Sequence, residues 1–133
     1  MNVVVRGLMA AGIGVYGTIH VLQAFESGTP VWMNVAFGLA AVIGYALVIA
    51  LVVAPERFAG RLEALAAGLA LVSAIALTLT LTTGFFGVED ELRLENLMAY
   101  VAEAVVIGSY VLLLLSPDSM MSMDEDRPAR EII

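Results

Sequence analysis

Four apolar runs, at roughly 2–25, 31–54, 64–86 and 97–115, divide the chain, and charged residues gather in the short segments between them. Each run is close to the ~20 residues that cross ~30 Å of hydrocarbon at ~1.5 Å per residue. Backbone polar groups in lipid must be satisfied within the protein, and four segments of this length cannot close a β-barrel, so each run is expected to be a helix. The stretch TLTLTT, Thr78 to Thr83, alternates like a strand but sits inside the third run and is assigned to its helix.

With 61% hydrophobic and 14% charged residues and a mean hydropathy of +0.95, the chain is far from a soluble globular composition. The expectation is an all-α, polytopic integral membrane protein of the cell membrane, with four transmembrane helices in an up-down bundle. The helices are placed at about 2–25, 31–54, 60–86 and 94–115 within one domain, 1–116. A short acidic tail, 117–133, lacks the apolar surface to fold alone and is expected to be disordered. Arg6 precedes an apolar stretch too long for a signal peptide, and no small-x-small cleavage site follows, so the first helix is expected to be retained.

Lys is absent, so orientation rests on arginine. Arg6, Arg57, Arg61, Arg127 and Arg130 fall on one side of this topology and Arg93 on the other, which places both termini in the cytoplasm. Thirteen acidic residues against six basic give a formal charge of −7. An acidic, Lys-free balance suits a high-salt, halophilic cytoplasm, where screening shortens to ~3 Å at molar ionic strength. The same balance excludes nucleic acid as a partner, and the absence of Cys excludes thiolate chemistry.

Turn residues mark the joints. In ESGTP, Thr29 is expected to cap the second helix with Pro30 at its first position, Pro55 to end that helix, and the GFFG stretch to end the third. Gly and Ala are frequent in the helices, and close backbone approach through small residues is how helices associate in lipid. Gly7 and Gly14 on the first helix, with Ala11 and Thr18, and Gly38 on the second, are the expected packing positions.

A second pattern emerges when residues are placed ~100° apart around each helix. Tyr16, His20 and Gln23 share one arc of the first helix, and Asn96, Tyr100, Glu103 and Tyr110 share one arc of the fourth. On the third helix Ser73 and Thr80 align, while the other threonines scatter and are expected to bond back to their own backbone. Counting ~1.5 Å per residue from the outer ends sets Tyr16 and Glu103 level, each ~14–16 Å deep, with His20 beside the turn from Asn96 to Tyr100. If the arcs face each other, Gln23, His20, Asn96, Tyr100, Tyr16 and Glu103 form one polar ladder.

Glu103 weighs most. A charged acid at mid-bilayer costs about 2.5–3.5 kcal/mol and usually marks a pathway or relay, and the acid escapes that cost most simply by carrying its proton. Glu63 is expected to serve the dipole of the third helix from its first turn. One His with distant carboxylates does not make a metal site, and no haem pair, nucleophile constellation, phosphate loop or dinucleotide fingerprint is present, so no cofactor and no enzyme activity are expected. Gly12, Gly14 and Gly17 match GxGxxG spacing, but no strand precedes them, so they are read as a helix-packing pattern.

Two functional classes follow. One is a small transporter, channel or ligand-binding bundle built on an intramembrane site centred on Glu103. The other is a non-catalytic accessory or assembly subunit in which Glu103 meets a polar group supplied from outside. The expected partners are membrane lipid and either a second copy of the chain or other membrane subunits.

Overall fold

The computed structural model describes residues 2–84 and 92–116, which form four long helices joined by short connections. They are α1 (Asn2–Ala24), α2 (Val31–Val53), α3 (Ala59–Thr82) and α4 (Leu94–Leu114), with one 3-10 turn, Glu56–Phe58, before α3. At 21 to 24 residues, each is long and apolar enough to cross a membrane. Their outward faces carry exposed Leu39, Val42, Ile49, Leu65, Val72, Val101 and Leu112, a surface suited to lipid.

The helix ends fall within a few residues of the expected positions. Pro30 is the N-cap of α2 rather than its first residue, and its carbonyl accepts from the amides of Met33 (2.9 Å) and Asn34 (3.2 Å). No side chain caps this end, so Thr29 does not hold the role assigned to it. Pro55 stops α2 and starts the 3-10 turn. The third helix ends at Thr82 rather than at 86, because Gly84 turns the chain through a left-handed conformation (φ 72°). Phe85 and Phe86 lie outside the described residues, as does the tail from 117 onward. Thr78, Thr80, Thr82 and Thr83 each donate to the carbonyl four residues back, which accounts for their hydroxyls inside a helix.

Successive helices run antiparallel. Gly17 of α1 lies beside Ala41 and Gly44 of α2, Gly12 of α1 beside Ala102 and Val106 of α4, and Thr78 of α3 bonds Tyr100 of α4. The packing order is α2, α1, α4, α3; α2 and α4 do not meet, and α2 touches α3 only sparsely. The dry core occupies one end of the bundle. Met9, Ala10, Ile13, Leu51, Ala66, Ala70 and Val106 fill it, with Leu47, Leu62 and Leu113 packed around them. The other end is open along the α2–α3 seam.

Gly7, Gly14 and Gly38 are not where the backbones approach most closely, whereas Gly12 and Gly17 of the GxGxxG-spaced pattern are. Gly7 is exposed and a Cβ there meets nothing, Gly38 likewise faces open space, and Gly14 has only Val48 at 3.9 Å. Close contact falls instead at Gly12, where a Cβ would lie 2.7 Å from Val106 Cγ2 and 3.1 Å from the Ala102 carbonyl, and at Gly44, 3.4 Å from Gly17 Cα. A hundred-degree wheel finds small faces but does not say which of two small faces a neighbour occupies. Gly12→Ala is expected to lower stability by about 1–2 kcal/mol through overpacking, while Gly7→Ala lowers it not at all, as read by detergent-induced unfolding followed by circular dichroism.

Candidate functional site

Toward the open end, the gap between α2 and α3 widens into a cavity of about 610 Å³, backed by α1 and α4. Its inner limit is formed by Tyr16 and Leu69, Ser73 and Glu103, directly above the dry core. Its mouth is lined by Gln23, the Glu26–Pro30 turn, Trp32 and Arg93. The side walls from α2 and α3 are largely apolar, including Ala36, Ala40, Ala76 and Leu77. Because the dry core lies beneath it, the cavity ends blind among the described residues.

Glu103 is 1% exposed and neither carboxyl oxygen has a hydrogen-bond partner, although its residue lines the cavity. Ser73 of α3 lies beside both Glu103 and Tyr16, but without the geometry of a hydrogen bond to either Glu103 oxygen. A buried carboxyl whose oxygens make no hydrogen bond forfeits about 1–3 kcal/mol or more. The position therefore weakens the fold rather than holding it together.

On α1, Tyr16 and His20 stand one turn apart. His20 Nδ1 is 3.0 Å from the Tyr16 carbonyl oxygen, and the two rings stack with centroids 4.1 Å apart. His20 then meets the edge of Phe37 on α2, 5.5 Å between centroids, so an aromatic wall runs from α1 to α2 along one side of the cavity. Gln23 continues the α1 arc, with a buried Oε1 that has no partner. At the rim, Arg93 Nη1 donates to Glu26 Oε1 at 2.7 Å, an exposed ion pair that ties the α1–α2 turn to the start of α4.

Four of the six residues expected in the polar ladder, Tyr16, His20, Gln23 and Glu103, line the cavity together. The other two do not join them. Asn96 is buried, 2% exposed, but is not part of the lining. Tyr100 turns toward α3, where its hydroxyl lies 2.8 Å from Thr78 Oγ1, a partner that the scattered threonines concealed. Tyr110 packs against the dry core. Sequence reasoning missed Ser73 as the polar neighbour of Glu103; its one signal was the alignment of Ser73 with Thr80, both of which reach the cavity.

Glu63 also differs from expectation. The first turn of α3 contains no acid, and Glu63, buried one turn further in, faces Arg6 of α1 with Oε1 3.5 Å from Nε. Arg6 Nη2 also donates to the Leu51 carbonyl of α2 at 2.8 Å, so this pair joins three helices at the closed end. Among the described residues no three His, Cys, Asp or Glu side chains gather as a metal site. Neither a family model, nor a curated protein, nor a solved structure matches the chain.

Proposed function

We propose that this chain is a multi-pass membrane protein whose bundle binds a small molecule in a proton-linked manner, with Glu103 as the proton-exchanging group. One observation carries this reading: a buried carboxyl without internal partners stands at the base of a cavity large enough for a small molecule. Intramembrane acids that serve only to join helices find a partner on the neighbouring helix, and Glu103 has none. The blind cavity favours a binding or alternating-access protein over an open channel. Tyr16 and His20 extend the polar wall from Glu103 toward the mouth and give a proton a chain of exchangeable groups.

The arginines favour cytoplasmic termini, which would open the cavity outward and set the dry core on the inner side. Arg57 and Arg61 are exposed at the closed end, while Arg6 is occupied by Glu63.

Among the described residues, the titratable groups facing Glu103 are few. Tyr16 and His20 face the cavity from α1, none does from α2 or α3, and Glu26 and Arg93 stand at the mouth. A pH jump on purified, lipid-reconstituted protein, read with a pH-sensitive dye, is therefore expected to show a reversible proton exchange that Glu103→Gln removes and Tyr16→Phe slows. An unchanged proton count in folded Glu103→Gln would reject the assignment. An inert Glu103 together with a stoichiometric partner chain in gently extracted material would make the protein an accessory subunit instead.

A further inference from the structure

The chemistry of the cavity goes further than the presence of a site, because its walls accept some ligands and refuse others. The two Glu103 oxygens are acceptors without donors, so an occupant must bring an N–H or O–H to the base. Its approach passes the aromatic rings of Tyr16 and Phe37, which tolerate a cation beside them better than an anion. Arg93, the cationic side chain of the lining, stands at the mouth with Glu26 at 2.7 Å, which leaves the base without a positive charge to hold an anion. The walls from α2 and α3 are mostly alanine and leucine, with the Ser73 and Thr80 hydroxyls as their polar groups, too few to satisfy the many donors and acceptors of a sugar or a peptide.

From these constraints, and resting on the reading of Glu103 as a proton-exchanging site, we infer that the cavity takes a lipophilic amine: an apolar body between α2 and α3 with its ammonium group on the Glu103 carboxylate. A volume of about 610 Å³ accommodates a drug-sized body. The proton count follows directly. When an ammonium ligand meets protonated Glu103, the acid releases one proton to solvent and the N–H donates to the resulting carboxylate. When a neutral amine arrives, the proton moves from Glu103 to the amine and none is released.

Trp32, the chain's single tryptophan, lines the mouth and provides the readout. Full-length protein in phosphatidylcholine nanodiscs is titrated with dansylcadaverine, whose free amine and dansyl group make it both ligand and energy acceptor, and with N-pentyl dansylamide, which lacks the amine. Saturable transfer from Trp32 is expected for the amine at least tenfold more tightly than for the neutral analogue. Glu103→Gln, checked for helicity, removes that preference. Ala40→Phe, which narrows the cavity without altering a polar group, weakens both probes and guards against a Glu103 variant that fails to fold.

Equal binding of the two probes by wild type, or a preference that survives Glu103→Gln, overturns the inference. If the pH jump still reports Glu103 exchange in that case, only the ligand class is wrong. If exchange is absent as well, the site assignment falls with it.

Discussion

Glu103→Met is expected to raise the stability of the bundle by about 1–3 kcal/mol while abolishing its proton exchange. Glu103 is buried at 1% exposure with no donor to either oxygen, so its removal costs no internal hydrogen bond. Methionine is close to it in length and adapts to irregular space. Removing an unsatisfied buried polar group while retaining its volume relieves the desolvation penalty without opening a hole. A gain in stability coupled to a loss of activity is the signature of a residue retained for function. Detergent-induced unfolding in mixed micelles measures the first effect and the pH jump the second. If Glu103 were structural glue, Glu103→Met would unfold earlier than wild type.

The other buried acid is expected to respond in the opposite sense. Glu63→Gln should destabilise the bundle by roughly 3 kcal/mol, the lower end for breaking a buried pair, because it leaves the Arg6 guanidinium without a counter-charge. Both side chains are largely enclosed, 16% and 11% exposed, and Arg6 remains anchored by the Leu51 carbonyl at 2.8 Å. The double variant Arg6→Gln with Glu63→Gln should recover part of the loss, since neither charge is then orphaned, and the coupling is read from the four-member cycle of unfolding midpoints. Additive single effects would show that the two side chains do not act as a pair. Proton exchange at Glu103 should survive in all folded members, as the pair lies at the closed end of the bundle.

The contrast between these acids shows what the amino-acid sequence exposes and what it hides. Helix number and approximate ends are legible because length, hydropathy and proline or glycine breaks act locally. Glu103 stands out because an acid between apolar neighbours is anomalous wherever the helices pack. The shared arc of Tyr16, His20 and Gln23 is legible for the same reason, since it depends on one helix alone. Partners across helices are not. Glu63 reads as a response to its own helix dipole but faces Arg6, 57 positions earlier in the chain, at the closed end of the fold, a pairing that depends on α1 and α3 running parallel. Tyr100 lay on the right arc, yet Thr78 drew its hydroxyl toward α3. Gly12 and Gly17, legible as a packing pattern and not a nucleotide motif, carry the closest backbone approaches of α1, but their spacing does not name the helices they meet. Each of these outcomes is settled by which helix sits next to which, information that periodicity within a single helix does not contain.

The central claim is that Glu103 is a buried, proton-carrying acid at the base of an intramembrane cavity. Dicyclohexylcarbodiimide, an apolar reagent that couples to protonated carboxyls, tests it most directly when native membranes are labelled across a pH series and the adduct is mapped by mass spectrometry. The expected result is stoichiometric labelling at Glu103 that declines as pH rises and is slowed by a lipophilic amine, with Glu63, held by Arg6, unlabelled. An unmodified Glu103 under conditions that label other membrane carboxyls would contradict the account.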